Sequence, residues 1–337
     1  MTRRRYARRS ITIFRLRVSS VGMATRRVTQ KPRELLMDPY GRVVNSLRIS
    51  ATQRCNFDCF FCHREGEHGP NGEMTPEEIG EIVSVAAELG VNKVKITGGE
   101  PLERADIVDI VKRITPHVAE VSMTTNASKL DVKAGALKAA GLRRVNVSLH
   151  SLKPDVFRKI TGCEYVYEVE NGVKAAVKVG LNPVKLNVVV IRGLNSEEIP
   201  EIIEFSRRVK AVVQLIEYQP LERGAEGFEE HHYDLKPLEE KLAAEAVDVF
   251  ERDLHRRRQY RLRGGAAVEV VRPMHNTTFC RYCTRLRVTS DGRLKPCLMR
   301  DDNLIELVSL VRRGEPREAL VKAFRDATAR RVPYWRD

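Results

Sequence analysis

We predict that the chain folds as an α/β protein, a partial (βα)6 TIM-like barrel followed by a C-terminal region with cysteines of its own. Between Ser46 and Tyr218, short β-branched runs alternate with longer amphipathic stretches, which is typical of βα units around a parallel sheet. We count six such units, fewer than a closed eightfold barrel needs. Beyond Pro220 the alternation ends in a polar loop that holds His231 and His232.

The strands and helices can be placed from the pattern. The predicted strands span residues 47–51, 93–97, 120–124, 144–149, 184–191 and 212–218. The first helix begins at the N-cap Thr75, with Pro76 in its first position and Glu78 completing a capping box, and it ends at Gly90. Further helices are predicted at about 105–115, 132–140, 167–179 and 196–208. We expect the chemistry at the C-terminal ends of the strands.

The net charge of +14 is concentrated at the start of the chain. Residues 1–36 hold ten Arg, Lys31 and the single acid Glu34, which leaves only +4 for residues 37–337. Residues 1–36 could be an organellar transit peptide or a polyanion-binding arm, but we favour a disordered tail or an over-extended translation start. We predict a barrel over 37–220 and a C-terminal region over 221–337. The near-neutral body argues against a nucleic-acid partner. No apolar run is long enough to span a membrane, so we expect a cytoplasmic protein without a membrane partner.

Six of the seven cysteines fall into two tight groups, which favours metal or redox chemistry in a reducing compartment over a disulfide framework. Cys163 stands alone and is interpreted as a packing thiol. The first group, Cys55, Cys59 and Cys62, directly follows the first strand. Three thiolates can hold a 4Fe-4S cluster with one iron open, and that iron can chelate S-adenosylmethionine. A zinc site completed by His63 is the alternative.

The spacing C-x3-C-x2-C after a first strand resembles that of the radical S-adenosylmethionine superfamily. Thr97-Gly98-Gly99-Glu100-Pro101 at the end of the second strand resembles the superfamily's GGEP motif, which implies binding of the methionine moiety. Glycines there allow close backbone approach to a ligand. Thr124, Thr125 and Asn126, and Ser148 on the next strand, are short polar residues that could bind ribose or carboxylate oxygens.

The second group is Cys280, Cys283 and Cys297, again with three thiolates, and a zinc knuckle completed by His275 is the alternative. Arg285 and Arg287 follow Cys283 at alternate positions. In an extended segment they face the same side, where two guanidiniums can bind phosphate in bidentate fashion.

The segment from Phe279 to Leu298 closely resembles the C-terminal motif of the GTP 3′,8-cyclases of molybdenum cofactor synthesis, and the resemblance covers about residues 37–325. It implies that the C-terminal region binds a second 4Fe-4S cluster, whose open iron takes the guanine base. It implies S-adenosylmethionine contacts at Phe61, Gly99 and Ser148. The implied GTP contacts are Arg48, Lys95, Thr124, Lys185, Arg285 and Arg287. No catalytic residue beyond these is assigned.

The chain departs from the family pattern at several positions. Many members have Arg where Lys95 and Gln214 lie, Asn at Thr284 and Asp at His150. Many also end in Gly-Gly, whereas this chain ends Trp335-Arg336-Asp337. Lys95 keeps the positive charge but Gln214 does not, so one phosphate or base contact is in doubt.

The resemblance implies an enzyme that cleaves S-adenosylmethionine to methionine and a 5′-deoxyadenosyl radical. The radical takes hydrogen from C3′ of GTP, the C3′ radical then adds to C8, and an electron and a proton complete 3′,8-cyclo-7,8-dihydro-GTP. Implied partners are a reductant protein, a downstream cyclic pyranopterin monophosphate synthase and a second copy in a homodimer. Two other readings stay open: a peptide-modifying radical enzyme with an auxiliary cluster, and a basic zinc-ribbon module that binds nucleic acid.

Overall fold

The computed structural model of the chain describes residues 35–67 and 72–336, so the predicted tail lies outside the described residues except for Leu35 and Leu36. The strands are β1 (Ser46–Ser50), β2 (Lys93–Thr97), β3 (Glu120–Thr125), β4 (Arg144–Ser148), β5 (Val184–Val190), β6 (Val212–Glu217), β7 (Ala246–Glu251), β8 (Arg258–Leu262), β9 (Ala267–Val271), β10 (Arg285–Val288), β11 (Arg293–Lys295) and β12 (Ile305–Glu306). The helices are α1 (Pro76–Glu88), α2 (Ile107–Ile114), α3 (Leu130–Ala139), α4 (Pro154–Thr161), α5 (Val166–Lys178), α6 (Ile199–Arg208), α7 (Phe228–His231), α8 (Lys236–Glu245), α9 (Thr277–Arg281), α10 (Val308–Arg312) and α11 (Arg317–Ala329).

All these strands belong to one sheet. The strands β1 to β6 lie side by side in chain order and pair in parallel. Two strands from the C-terminal part extend this parallel array, because β9 pairs with β6 and β10 pairs with β1. Antiparallel strands continue on both sides, so that β7 and β12 form the edges of the described sheet. The predicted fold class, an open α/β barrel of parallel strands, is confirmed.

The six predicted strands and the first helix occur where the pattern places them. Thr75 caps α1, and the reciprocal hydrogen bonds with Glu78 of a capping box are both present. The helix predicted at 196–208 begins as a 3-10 turn over Ser196–Glu198 before α6. The prediction missed α4, because eight residues give little more than two turns of periodicity and α5 follows almost directly.

Alternation along the strands separates an apolar exterior from a polar interior. In β1, Leu47 and Ile49 are fully buried beneath the helices, whereas Arg48 between them faces into the barrel. Valines, leucines and isoleucines of the other parallel strands pack in the same way against the helical layer. Cys163 packs against this core, with its Sγ 3.3 Å from the hydroxyl of Thr161.

Beyond the predicted boundary at residue 220 the chain continues to build the same sheet. A buried ion pair ties its last segment to its first described one: Nη1 of Arg331 lies 2.9 Å from Oδ2 of Asp38, which also pairs with Arg42 at 2.7 Å. The other terminal nitrogen of Arg331 donates to the carbonyl of Cys283 at 2.7 Å. The residues around the second cysteine group are thus fixed to the start of β1. Over the described ranges, no helix is long and apolar enough to cross a membrane.

Candidate active site

The barrel encloses a cavity of about 410 Å³. Every residue that the sequence analysis placed in a site lines this cavity. These residues are Cys55, Cys59, Phe61, Cys62, Arg48, Lys95, Gly99, Thr124, Ser148, Lys185, Cys280, Cys283, Arg285, Arg287 and Cys297. Polar side chains fill much of the barrel interior where a closed barrel would pack apolar layers. The cavity is therefore a site for a polar ligand.

The two cysteine groups lie at opposite ends of the parallel strands. Cys55 follows the C-terminal end of β1, whereas Cys283 precedes the N-terminal end of β10, and these two strands are parallel neighbours. Because β11 runs antiparallel to β10, the chain returns to the N-terminal end of β10, and Cys297 lies at the same end of the strands as Cys283. The second group therefore departs from the expectation that the chemistry lies only at the C-terminal ends of the strands. A five-residue strand, roughly 17 Å long, separates these two ends of the strands.

Gly98 and Gly99 pack against the backbone of the loop that leads into Cys55. A Cβ on Gly98 would lie 2.4 Å from the carbonyl oxygen of Thr52, and one on Gly99 would lie 2.3 Å from that of Arg54. The amide of Gly99 donates to the Thr52 carbonyl at 2.7 Å. Gly98 also has φ +140°. The glycines are thus required for contact between two loops of the protein, in addition to any approach to a ligand.

Glu100 joins the loops after β2 and β3. Its carboxylate accepts hydrogen bonds from the hydroxyl of Thr125 at 2.6 Å and from the amides of Asn126 and Leu102 at 2.5 and 2.9 Å. Burial nevertheless raises the pKa of Glu100 to about 7. The amide side chain of Asn126 donates to Asn56, next to Cys55, at 2.8 Å. The first cysteine loop is therefore held by a polar network from two strands.

Phe61 and His150 form one wall of the cavity near the first cysteine group. Their ring centroids are 4.8 Å apart at an angle of 71°. Burial lowers the pKa of His150 to about 4, so its ring is neutral at physiological pH. Its Nδ1 accepts from the amide of Val189 at 3.2 Å, which leaves the proton on Nε2. An Asp at this position would carry a charge, whereas His150 presents a neutral, partly apolar surface.

The thiols of the two cysteine groups differ in their surroundings. Within the described ranges, no three His, Cys, Asp or Glu side chains converge closely enough to hold one metal ion. Burial raises the pKa of Cys55 to about 11 and also raises that of Cys59 and Cys62. For Cys283 burial is outweighed by Arg331 and Arg285, which lower the thiol pKa. Bound metal would displace the remaining protons.

The histidines of the zinc alternatives make other contacts. Nδ1 of His63 accepts the amide of Glu65 at 3.1 Å. The ring of His275 packs on Trp335 at 4.2 Å between centroids. Trp335 lines the cavity, and its amide lies 3.4 Å from the Sγ of Cys280. The last residues of this chain therefore close the cavity beside the second cysteine group with an aromatic side chain.

Arg48 and Arg287 face each other across the β1–β10 pair and share one carboxylate. Their terminal nitrogens lie 2.6 and 2.7 Å from the two oxygens of Glu65. Burial opposes ionisation of Glu65, but the two guanidiniums hold its pKa at about 2. Glu65 has φ +55°, a strained conformation for a non-glycine residue. It lies three residues after Cys62 and so links the first cysteine loop to β10.

Two further cations of the cavity have no acidic partner among the described residues. Arg285 makes no ion pair with a carboxylate in the part of the chain that the structure describes. Its pKa is lowered by burial and by the nearby charges of Arg48 and Arg257. Lys95 donates to the amide oxygen of Asn146 at 2.8 Å, and burial and Arg144 lower its pKa. Both groups would be stabilised by an anion in the cavity.

A second buried carboxylate, Glu269 on β9, lies opposite Glu65. It pairs with Lys185 and, at 2.8 Å, with Arg257, and it accepts a hydrogen bond from Gln214 at 3.3 Å. Burial lowers the pKa of Lys185 to about 8, against the opposing effect of Glu269. Gln214 is thus a neutral donor inside a charged cluster, at the position where sequence analysis noted the loss of a charge.

Several cavity residues escaped the sequence analysis. These are Glu65, Arg144, Asn146, Arg252, His255, Arg257 and Arg331, and the buried Glu269 behind the lining was missed as well. A single Glu inside the apolar run Ala266–Val271 was a usable signal for Glu269, because a charged residue in a buried strand needs a partner. The basic run 256–258 resembled a solvated charge cluster, and nothing in its spacing distinguished Arg257 from its neighbours.

Two family models match the chain, one on each side of residue 210. The Radical SAM superfamily matches residues 49–206, and Molybdenum Cofactor Synthesis C matches residues 211–336. A crystal structure of Streptococcus suis SuiB bound to S-adenosylmethionine is similar in fold, with a TM-score of 0.63 at 18% identity over 85% of this chain and 69% of that one. The fold and the first match together define a radical S-adenosylmethionine enzyme.

The curated relatives narrow the class. A protein of Thermococcus kodakarensis named "probable GTP 3′,8-cyclase" is 51% identical over 90% of this chain and all of its own length. A protein of the same name from Pyrococcus abyssi is 48% identical over 89% of this chain and all of its own length. The chain therefore belongs to the GTP 3′,8-cyclase family.

The contact between Gly99 and the cysteine loop can be tested on stability. Gly99→Ala places a methyl group 2.3 Å from a backbone oxygen, so the loop must shift, and the free energy of unfolding should fall by roughly 1–3 kcal/mol. Gly135→Ala is the control, because its Cβ meets nothing within 4 Å inside α3, and it should raise stability by up to about 1 kcal/mol. Denaturant unfolding measures both. Equal stability of Gly99→Ala and wild type would contradict the packing argument.

Proposed function

We propose that this protein converts GTP to (8S)-3′,8-cyclo-7,8-dihydroguanosine 5′-triphosphate, the first step of molybdenum cofactor synthesis. The observation that carries the proposal is Arg285, a guanidinium without an acidic partner among the described residues, inside a cavity that two groups of three thiols border. A triphosphate supplies the missing negative charge. The names of the relatives support the same activity.

The charge balance of the cavity favours a polyanion. Arg48 and Arg287 share one carboxylate, and Lys95 has only an amide oxygen. Buried cations without counterions are costly, so the cavity favours an anion of several charges. We assign the GTP contacts to Arg48, Lys95, Thr124, Lys185, Arg285 and Arg287.

The residues beside the first cysteine group fit S-adenosylmethionine. We propose that the first 4Fe-4S cluster binds at Cys55, Cys59 and Cys62 and the second at Cys280, Cys283 and Cys297. Phe61, with His150 on its edge, offers an apolar surface for the adenine. Gly99 brings backbone close to the ligand, and Ser148 offers a hydroxyl at the end of β4.

In this proposal the residues of the protein bind and orient GTP and S-adenosylmethionine. When bound, the clusters would supply an open iron for the guanine and the electron that splits S-adenosylmethionine into methionine and a 5′-deoxyadenosyl radical, which becomes 5′-deoxyadenosine by taking the hydrogen from C3′ of GTP. Arg285 and Arg287 fix the triphosphate on β10, so that the ribose lies in the barrel between the two cysteine groups. Trp335, on whose ring His275 packs, closes the cavity beside the second cysteine group and excludes water there.

The same family relationship leads us to propose the partners. A reductant protein must supply electrons to the first cluster, and a cyclic pyranopterin monophosphate synthase would consume the cyclised nucleotide. We place the enzyme in the cytoplasm, because unpaired cysteines suit a reducing compartment. A homodimer is supported by exposed Val247, Val249 and Phe250 on the edge strand β7, where a second copy could pair.

The cysteine assignment predicts two different losses. Serine at Cys55, Cys59 and Cys62 should abolish cleavage of S-adenosylmethionine, because no electron reaches it. Serine at Cys280, Cys283 and Cys297 should leave some uncoupled cleavage and remove GTP cyclisation. Anaerobic incubation with dithionite, S-adenosylmethionine and GTP, scored for 5′-deoxyadenosine and cyclised product, measures both.

Iron content supplies the control. The wild type and Cys163→Ser should each bind about eight irons, whereas each triple variant should bind about four. If the second triple variant cyclised GTP at the normal rate, the second cluster would have no substrate role. Stoichiometric zinc in the anaerobically purified protein would overturn both assignments.

The arginines of β10 should recognise the triphosphate. Arg285→Ala or Arg287→Ala should cost about 1.5–3 kcal/mol in GTP binding, the scale of a charge-assisted hydrogen bond, and leave guanosine binding unchanged. Lys at either position should restore only part of the affinity, because it lacks the planar fork. Arg313→Ala, which removes an exposed arginine paired with Glu315, is the control. Calorimetric titration with both ligands tests this, and equal losses for GTP and guanosine would contradict it.

Lys185 predicts a pH dependence of GTP binding. Its pKa of about 8 means that the free protein loses this charge as pH rises through about 8. A bound phosphate raises the pKa, so binding takes up a proton above that pH, and affinity should fall up to about tenfold per pH unit. Lys185→Met should bind GTP more weakly below pH 8 and show a flatter profile. Identical slopes for both proteins would show that another group titrates.

A further inference from the structure

The loop between β7 and β8, residues 252–257, reaches the cavity from the far edge of the sheet. Arg252, His255 and Arg257 all line the cavity. The loop is closed by a hydrogen bond from the amide of Arg252 to the carbonyl of Arg257 at 2.9 Å. Its middle is tied to the second cysteine segment by the amide of His255, which donates to the carbonyl of Tyr282 at 3.1 Å. We call residues 252–257 the arginine loop.

The arginine loop holds a strained conformation. His255 and Arg256 have φ +65° and +50°, which are unfavourable for residues other than glycine. Two ring contacts maintain it: His255 stacks on Phe279 with centroids 3.7 Å apart, and the Arg256 guanidinium lies 4.4 Å from the centre of the Tyr282 ring. Strain of this kind persists only where surrounding contacts outweigh it, and it occurs often at ligand sites.

The charges at the ends of the loop are not balanced by the residues that the structure describes. Arg257 pairs with Glu269 at 2.8 Å, Lys185 pairs with the same carboxylate, and Arg252 approaches it to 3.9 Å. Three cations thus share one anion, with two positive charges in surplus. The Nε of Arg252 is buried and has no hydrogen-bond partner within the described residues. Both the surplus and the unpaired donor call for an anion with several acceptor oxygens.

We propose that the arginine loop is a phosphate-binding element, in which Arg252 and Arg257 bind oxygens of the substrate's triphosphate. This inference rests on the proposed function, because GTP is the ligand that brings the phosphates. Glu269 is then a positioning residue that holds the guanidinium of Arg257 and the ammonium of Lys185. The alternative is that Arg257 only neutralises Glu269. In that case a change that preserves the net charge around Lys185 would leave GTP binding intact.

The test is equilibrium binding of GTP, GMP and guanosine to the cluster-loaded protein under anaerobic conditions. Arg257→Gln and Arg252→Gln should each weaken GTP binding about 10- to 100-fold, the factor that one charge-assisted hydrogen bond supplies. GMP should lose less, and guanosine should bind as it does to the wild type. Arg261→Gln is the matched control, since Arg261 lies on β8 but is exposed and paired with Asp248.

A charge-conserving variant separates contact from neutralisation. Arg257→Gln combined with Glu269→Gln keeps two positive charges in the cluster, so it should fold even if Arg257→Gln alone leaves Glu269 poorly compensated. GTP binding should still be weak if Arg257 contacts phosphate. Wild-type affinity in this double variant, or in Arg252→Gln, would overturn the role of that arginine. Arg252→Gln tests the loop independently, because its contact with Glu269 is longer and contributes less to folding.

The result for the wild type distinguishes a failure of the arginine-loop assignment from a failure of the proposed function. If the wild type binds GTP in preference to guanosine, and Arg252→Gln and Arg257→Gln bind GTP as tightly as the wild type does, the arginine loop does not bind phosphate. The proposed function then stands. If the wild type shows no preference for GTP over guanosine, the proposed function fails and the loop assignment fails with it.

Discussion

The parallel pairing of β10 with β1 is the contact on which the arrangement of the site depends. The register sets Arg285 beside Ser46 and Arg287 beside Arg48. It thereby brings a segment more than two hundred residues later in the chain into the interior of the barrel. Because the two strands are parallel, the cysteines that precede β10 lie at the opposite end of the strands from the cysteines that follow β1. The second cysteine group therefore faces the first across the length of the barrel, and a substrate bound between them is within reach of both.

The interior of this barrel is organised by electrostatics. Inward positions of the strands carry Arg, Lys, Asn and Gln, and two buried carboxylates hold them in place. Glu65 orients Arg48 and Arg287, and Glu269 orients Lys185 and Arg257. Two acids cannot neutralise all these cations, so the protein is prepared for a polyanion before it arrives. Preorganised charge of this kind reduces the reorganisation that binding would otherwise require.

The cysteine loop after β1 is rigid for a different reason. Gly98 and Gly99 remove the side chains that would keep Thr52 and Arg54 away, and the backbones meet directly. Glu100 then joins the ends of β2 and β3 through two hydrogen bonds, from Thr125 and Asn126. The loop that holds the first cysteine group is thus positioned by contacts with the ends of β2 and β3.

The sequence alone predicted the parallel strands β1 to β6, the helices α1, α2, α3, α5 and α6, the six grouped cysteines and five of the basic residues that line the cavity. It could do so because these features are local: β-branched runs, capping residues, and short spacings between ligands on one loop or one strand. The tertiary structure decided which distant segments meet. Glu65, Glu269 and the arginine loop became recognisable only there, since an ion pair between β9 and the β7–β8 loop leaves no periodic signal. The same holds for the continuation of the sheet beyond residue 220, because strand order depends on the summed packing of non-local surfaces.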